Sequence, residues 1–198
     1  MNDNFFRLLA IAIFLIGASI SLYYRRKADR EGGGPISPKA EGLPMMIALR
    51  LLGLAGWGGV FAYMINPAWM NWSKIDLPEW ARWVGVGLGL LGDLLAWWVF
   101  TSLGNNVTPT VVTRQNARLV TSGPYRWVRH PLYVMGLIGY IGFALLAENW
   151  FIALTTSLGF VLLAIRARDE EANLLAKFGD EYRQYMQITG RFLPKLTR

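Results

Sequence analysis

The chain has 198 residues, no cysteine, a hydrophobic fraction of 54%, a charged fraction of 17% and a net charge of +7. The high apolar content excludes a disordered chain, and the absence of cysteine excludes a disulfide scaffold, thiolate zinc sites and a cysteine nucleophile. A soluble globular domain usually carries about 25% charged residues, so the missing charge must be explained by where the apolar residues lie. They lie in five long blocks that are nearly free of charge.

The first three apolar blocks are long enough to cross a membrane as helices. They cover residues 5–24, 43–65 and 80–103. Their lengths are 20, 23 and 24 residues, and about 20 helical residues span the roughly 30 Å hydrocarbon core of a bilayer. An alternative for the first block is a cleaved signal peptide. Its apolar stretch, however, exceeds the usual length of about 7 to 15 residues, and it is followed by the basic stop-transfer flank Arg25-Arg26-Lys27.

The last two apolar blocks, residues 132–147 and 150–165, hold 16 residues each. Blocks of this length also occur as buried helices of soluble proteins, but these follow three predicted spans and are joined only by Glu148-Asn149, so we predict a tight transmembrane hairpin. Residues 166–186 then carry apolar side chains at spacings of three and four, which predicts an amphipathic helix. The predicted fold class is an all-α integral membrane protein with five transmembrane helices, the last two a hairpin, plus a C-terminal amphipathic cytoplasmic helix.

The net charge would suggest a nucleic-acid partner in a soluble protein, but here the basic residues follow the predicted topology. Of the 20 Lys and Arg residues, 16 fall in residues 25–42, 104–131 and 166–198. These segments lie on one side of the membrane if the N-terminus is external. Because cytoplasmic segments are enriched in Lys and Arg, we predict an external N-terminus and a cytoplasmic C-terminus, with the lipid bilayer rather than nucleic acid as the partner.

The third apolar block contains the text G-x-G-x-x-G, formed by Gly87, Gly89 and Gly92. The dinucleotide-binding fingerprint needs a strand before it and a helix that opens at it, whereas these glycines lie in the middle of an apolar helix. Together with Gly85 they form a small-residue spacing that lets transmembrane helices pack closely. Asp93 is a carboxylate near the middle of the same block, for which a structural bond and a catalytic role are both open.

A charged turn precedes the fourth block. His130, the only histidine of the chain, lies between Arg129 and Pro131. Because proline suits the first residue of a helix, His130 is predicted to be an N-cap that faces the cytoplasm, where the helix dipole favours an anion. A hairpin returns the chain to the face it left, which brings a second charged cluster beside this turn. That cluster comprises Arg166, Arg168, Glu170 and Glu171.

Two stretches of the chain carry recognisable patterns. Residues 119–136, LVTSGPYRWVRHPLYVMG, contain Gly-x-Tyr and Arg-His-Pro-x-Tyr-x-x-Gly. Residues 166–194, RARDEEANLLAKFGDEYRQYMQITGRFLP, contain Arg-x-x-x-Glu-Glu and Phe-Gly-x-Glu-Tyr. Both patterns closely resemble those of the isoprenylcysteine carboxyl methyltransferase family of membrane enzymes. The resemblance predicts a catalytic region in residues 104–198, behind the membrane helices of residues 1–103.

The resemblance implies an all-helical membrane enzyme that binds S-adenosylmethionine at its cytoplasmic face without a Rossmann domain. Arg166 and Glu170 would be the catalytic residues, and Arg166 and Asn106 would bind the substrate. The implied cofactor-binding residues are Gly123, Tyr125, Arg129, His130, Pro131, Tyr133, Gly136, Glu170 and Glu171.

The implied reaction is methylation of the carboxylate of a prenylated cysteine or a similar lipophilic acid. A cationic methyl donor calls for carboxylates and aromatic faces rather than a metal, so no metal is expected. An ionised carboxylate acceptor needs no general base, but it needs a cation, which an arginine supplies. Three alternatives stay open: methylation of a phospholipid amine or a small thiol by the same fold, an NADPH-dependent reductase of sterol-like lipids, and a non-enzymatic membrane adaptor.

Overall fold

The computed structural model describes residues 3–31, 43–104 and 118–195. The helices of these ranges are α1 (Asp3–Glu31), α2 (Leu43–Ile65), α3 (Glu79–Leu103), α4 (Pro131–Leu146), α5 (Trp150–Phe178) and α6 (Asp180–Ile188). Two short 3-10 helices, Pro67–Ser73 and Gly123–Arg126, lie in the connections. Within the described ranges no β-strand forms, which confirms the predicted all-α class for this part of the chain.

Four helices, α1, α2, α3 and α5, are long and apolar enough to cross a membrane. Helix α4 is also apolar, but it has only 16 residues, below the roughly 20 that cross a bilayer. The described residues therefore contain four candidate membrane-spanning helices, and the count of five spans stays a prediction.

The predicted start of a separate amphipathic helix at residue 166 is wrong. Helix α5 continues past its apolar part, which ends at Ile165, through the charged residues to Phe178. Charge does not end a helix, because Arg, Glu, Ala and Leu are all good helix formers. The break comes at Gly179, whose φ of +55° and backbone N–H bond to the Leu175 carbonyl cap the end of α5.

Helices α3 and α4 pack through glycines. A Cβ atom on Gly85 would lie 2.5 Å from the backbone nitrogen of Leu146, and one on Gly142 would lie 2.6 Å from the backbone nitrogen of Gly89. A Cβ on Gly92 would lie 2.9 Å from the α-carbon of Gly139. These contacts confirm that the glycines serve close helix packing. Gly87 is the exception, since a Cβ there would meet nothing within 4 Å.

The connection between α4 and α5 is held by Asn149. Its side-chain oxygen accepts from the Ile152 backbone N–H and caps α5, while its amide donates to the Ser73 hydroxyl over 2.8 Å. Asn149 is 2% exposed, so this turn is buried against the 3-10 helix Pro67–Ser73. The two helices therefore run back along each other, and the start of α4 lies beside the charged part of α5.

The opposite end of the bundle is tied by Arg82, which is 5% exposed. Its guanidinium donates to Asp3 on α1, to the Tyr63 hydroxyl on α2 and to the Leu146 carbonyl on α4, and it pairs with Glu148 at 3.4 Å. The sequence analysis gave Arg82 no structural role. In the structure, Arg82 on α3 links this helix to α1, α2 and α4 at this end of the bundle.

Candidate active site

The start of α4 and the charged part of α5 meet around one buried carboxylate, Glu171, which is 4% exposed. Its Oε1 accepts from Arg129 Nε over 2.9 Å and from His130 Nε2 over 3.1 Å. Its Oε2 accepts from Arg191 over 2.5 Å. Glu171 thereby holds two arginines and the histidine, which come from two separate segments of the chain.

The hydrogen bonds at Glu171 determine its charge state. The residue lies beyond Ile165, outside the apolar part of α5. Burial alone would raise the pKa of its carboxyl, but the hydrogen bonds from His130, Arg191 and Arg129 outweigh burial and hold that pKa well below its usual range. Glu171 is therefore ionised at neutral pH, with its oxygens directed at cations of the protein itself.

His130 is the N-cap residue of α4, and Pro131 is the first residue of that helix, as predicted. The residue is 5% exposed, so its imidazole is buried within the protein. Its position on the cytoplasmic side of the membrane stays a prediction. Its imidazole makes no capping bond and turns instead toward Glu171. The ring stacks on Tyr133 at 5.3 Å between centroids with 15° between planes.

The Arg-His-Pro turn is also fastened to the C-terminal segment, which sequence reasoning had left without a role. The backbone N–H of Arg129 donates to the Gly190 carbonyl over 2.8 Å, and that of His130 to the Arg191 carbonyl over 3.1 Å. Phe192 packs against the His130 ring with centroids 5.6 Å apart. Arg191 and Phe192 belong to the second recognisable stretch, residues 166–194. Nothing in that sequence pattern, however, indicated that they contact the Arg-His-Pro turn.

Glu170, the neighbour of Glu171, has a different environment. It accepts from the Tyr133 hydroxyl over 2.7 Å, and its side chain is 27% exposed. It lines a cavity of about 120 Å³ that we call the polar cavity. The other side chains of this cavity that matter here are Tyr125, Arg129, His130, Tyr133 and Tyr182.

A second cavity of about 520 Å³ lies among α1, α2, α4 and α5, and we call it the membrane cavity. Its residues include Arg25, Trp57, Tyr133, Gly136, Tyr140 and Arg166. Most of its lining is apolar, but the two arginines lie where α1 and α5 pass from apolar to charged sequence. Leu132 and Tyr133 line both cavities, so the two cavities share a wall.

The remaining site residues predicted from the sequence are Gly123, Tyr125 and Asn106. Gly123 has a φ of +60°, and a Cβ there would lie 2.2 Å from the Ser102 hydroxyl, so only glycine fits this turn. Tyr125 is buried, and its backbone carbonyl accepts from the Tyr185 hydroxyl over 2.6 Å. Asn106 lies outside the described residues. Asp93 lies against α1, since a Cβ on Gly17 would be 2.4 Å from its Oδ1.

This geometry suits a reaction between a cation and a membrane-dissolved anion. The polar cavity offers the Glu170 carboxylate and the stacked His130 and Tyr133 rings, which are the groups that stabilise a cation. The membrane cavity offers an apolar interior with guanidinium groups at its charged rim, which suits an amphipathic anion. Because Leu132 and Tyr133 line both cavities, groups bound in the two cavities would lie near each other.

Comparison with known proteins places the chain among membrane methyltransferases. The family model for phospholipid methyltransferases matches residues 80–181. The protein-S-isoprenylcysteine O-methyltransferase of Schizosaccharomyces pombe is 32% identical over 163 residues, which cover 79% of this chain and 67% of that protein. The structure of a eukaryotic intramembrane Ras methyltransferase, an isoprenylcysteine carboxyl methyltransferase, has a TM-score of 0.57 at 24% identity, covering 94% of this chain and 67% of that one. This last likeness establishes the fold alone.

Metal-resistance proteins are also similar to the chain. The cobalt-zinc-cadmium resistance protein CzcN of Cupriavidus metallidurans is 30% identical over 142 residues, or 71% of this chain. The nickel-cobalt-cadmium resistance protein NccN of Alcaligenes xylosoxydans is 34% identical over 84 residues, or 42% of this chain. The matches span 63% and 39% of the lengths of these two proteins.

Proposed function

Because the chain belongs to the phospholipid methyltransferase family and, more narrowly, to the isoprenylcysteine carboxyl methyltransferases, we propose that it methylates the carboxylate of a prenylated cysteine or a similar lipophilic acid. S-adenosylmethionine is the methyl donor in this proposal, and the reaction takes place at the boundary between membrane and cytosol. The observation that carries the proposal is the pair of cavities that share Leu132 and Tyr133.

The polar cavity fits the cationic part of the methyl donor. When bound there, S-adenosylmethionine supplies a methyl group on a positively charged sulfur. The Glu170 carboxylate offsets this charge, and the Tyr133 and His130 rings add aromatic faces. At about 120 Å³ the cavity is smaller than the roughly 300 Å³ of a ligand pocket, so it would hold only part of the donor.

Glu170 rather than Glu171 is the residue we assign to the donor. Glu171 already accepts from Arg129, His130 and Arg191, and its role is to hold the turn. Glu170 accepts from the Tyr133 hydroxyl over 2.7 Å, lies 3.8 Å from His130 Nδ1 and lines the cavity. The two neighbouring carboxylates thus have separate roles, one in positioning and one in binding.

The membrane cavity fits the acceptor. Arg166 at its rim holds the carboxylate, and the tail lies along α5 toward Thr155, which is 11 residues deeper or about 16 Å at 1.5 Å per residue. With the donor bound in the polar cavity, a carboxylate held by Arg166 would take the methyl group directly, and the neutral thioether would be the leaving group. No proton is transferred, so the site needs alignment and charge rather than a base.

Methylation of a phospholipid amine is the second candidate, and the matched family description favours it. An amine acceptor must lose a proton before it attacks, and Glu170 would be the base within reach of the shared wall. The two candidates use the same donor cavity. They differ in their dependence on Arg166 and on pH.

The test has a binding arm and a transfer arm, both on detergent-purified protein. Calorimetry should detect S-adenosylhomocysteine and give no heat of binding with NADPH; binding of NADPH alone would favour the reductase alternative. In single-turnover transfer, Arg166→Ala should lower methylation of N-acetyl-S-farnesylcysteine by about 10- to 100-fold, the value of a charged hydrogen bond, with unchanged affinity for S-adenosylhomocysteine.

Two further variants sharpen the transfer arm. Arg166→Lys should recover part of the activity, because an ammonium keeps the charge but loses the guanidinium fork. Arg168→Ala is the matched control, since Arg168 is exposed on the same helix and lines neither cavity. Transfer only to phosphatidylethanolamine, rising between about pH 6 and about pH 9 as the amine deprotonates and indifferent to Arg166, would replace the carboxyl assignment with the amine one.

A further inference from the structure

Arg25 is the residue that α1 contributes to the membrane cavity, where it lines the space together with Arg166 and Tyr133. Helix α1 lies outside residues 80–181, the part of the chain that the family model matches. Arg25 therefore belongs to a part of the cavity for which the family pattern gives no assignment.

The contacts of Arg25 leave most of its guanidinium available. Its Nε donates to the Ser21 hydroxyl over 3.1 Å, and its guanidinium carbon lies 6.0 Å from the centroid of the Phe100 ring. Within residues 3–31, 43–104 and 118–195, no carboxylate forms an ion pair with it. The terminal nitrogens can therefore donate to a ligand in the cavity.

The other arginines at this end of the bundle contrast with Arg25. Arg129 and Arg191 are committed to Glu171, and Arg183 pairs with Asp180 on α6. Arg26, next to Arg25, lies on another face of α1, where it lines a groove with Tyr23 and Lys27. Arg25 and Arg166 are thus the arginines that face the membrane cavity.

We propose that Arg25 is a second anion-binding residue of the acceptor site and that it sets the preference of the site for acids over neutral lipids. This inference rests on the proposed function. An ionised carboxylate offers two oxygens with about four lone-pair positions. Arg25 from α1 and Arg166 from α5 can donate hydrogen bonds to some of these lone pairs, and another lone pair remains free to attack the methyl group.

The second arginine also affects release of the product. The methyl ester is neutral, so both guanidinium groups lose their charged partner when the methyl group has been transferred. A site with two arginines should therefore discriminate more strongly between acid and ester than a site with one. This difference in affinity can be measured without catalysis.

The experiment compares affinities for N-acetyl-S-farnesylcysteine and its methyl ester in neutral detergent, by equilibrium binding of the radiolabelled compounds. Wild-type protein should bind the acid more tightly. Arg25→Gln should weaken binding of the acid by about 10-fold, which is the lower end of the range for a charged hydrogen bond. It should leave the affinity for the ester and for S-adenosylhomocysteine unchanged. Arg25→Lys should restore part of the preference for the acid.

Arg26→Gln is the control, because it removes the same charge from the same helix end outside the cavity. It should keep the preference of the wild type. An equal loss for acid and ester in Arg25→Gln, unchanged acid affinity, or an equal effect of Arg26→Gln would overturn the inference, as would a wild-type protein with no preference for the acid. An Arg25-dependent preference without methyl transfer to the acid would instead retain the anion site and refute the proposed function.

Discussion

Tyr133 donates its hydroxyl to Oε2 of Glu170 over 2.7 Å, which ties α4 to α5 at the wall between the polar cavity and the membrane cavity. Tyr133 lines both cavities, whereas Glu170 lines only the polar one. The bond therefore fixes the orientation of the carboxylate and of the aromatic ring at the place where donor and acceptor would meet. A pair in this position should affect binding of a cation more than binding of a neutral analogue.

Glu170→Gln tests this charge. S-adenosylmethionine carries a positive sulfur and S-adenosylhomocysteine a neutral one, so the variant should weaken binding of the former by about 10-fold and the latter less. Calorimetry with both ligands gives the ratio. Glu181→Gln, an exposed carboxylate on α6, is the control and should change neither affinity. Equal losses for both ligands would assign Glu170 to a shared part of the two molecules, such as the ammonium or ribose.

Glu171→Gln should act on stability rather than on ligand charge. The variant leaves Arg129 and His130 buried without their anion, and breaking a buried ion pair costs about 3 to 5 kcal/mol. Thermal unfolding in detergent should show a large fall in midpoint for Glu171→Gln and a small one for Glu170→Gln. Equal midpoints for the two variants would contradict the separate roles of these carboxylates.

The depressed pKa of the Glu171 carboxyl predicts how stability depends on pH. A carboxyl whose folded pKa lies below its unfolded value stabilises the fold fully above the unfolded pKa, and this contribution is lost as the pH falls through the folded pKa. The contribution of Glu171 should therefore be constant from neutral pH down to about 4.5, the ordinary value, and decline only in stronger acid. The difference in unfolding free energy between wild type and Glu171→Gln, measured over this pH range, gives this contribution. A difference that shrinks already between neutral pH and about pH 4.5 would contradict the depressed pKa of Glu171.

The glycine contact between α3 and α4 should tolerate no side chain. Gly142→Ala should lower the yield of folded protein strongly, because the new Cβ would lie 2.6 Å from the backbone of Gly89. Gly87→Ala lies on the same helix pair but meets nothing within 4 Å, so it should keep wild-type stability and gain slightly in helix propensity. Detergent size-exclusion profiles and thermal midpoints compare the two, and equal behaviour would refute glycine-mediated packing.

The orientation in the membrane is tested with single cysteines, since the chain has none of its own. Asn71→Cys, in the 3-10 helix at the Arg82 end, should react with an impermeant maleimide from the external side. Gln184→Cys, exposed on α6, should react only after the membrane is opened. The reverse pattern in intact cells would invert the predicted topology.

Part of the active site could be predicted from the sequence because its residues are adjacent in the chain. The position of His130 before Pro131 predicted the start of α4, and the short connection at 148–149 predicted that the charged part of α5 returns beside it. Both predictions depend on local rules, namely proline at the first helical residue and the reversal forced by a short turn. The site residues then follow from where the helices begin.

The roles of neighbouring residues could not be predicted in this way. Glu170 and Glu171 are interchangeable in the sequence, but successive helical residues point about 100° apart. One therefore faces the cavity and the other faces Arg129. Which is which depends on how α5 packs, and so does the selection of Arg25 rather than Arg26 for the membrane cavity.

The sequence by itself determined that this is a helical membrane protein, where its apolar helices lie and which turn carries the charged residues, because these properties depend on composition and local spacing. The tertiary structure alone decided that α5 continues to Gly179, that Arg82 links four helices and that Arg191 closes the site around Glu171. Each of these depends on contacts between residues distant in the chain, and packing of whole helices brings such residues together.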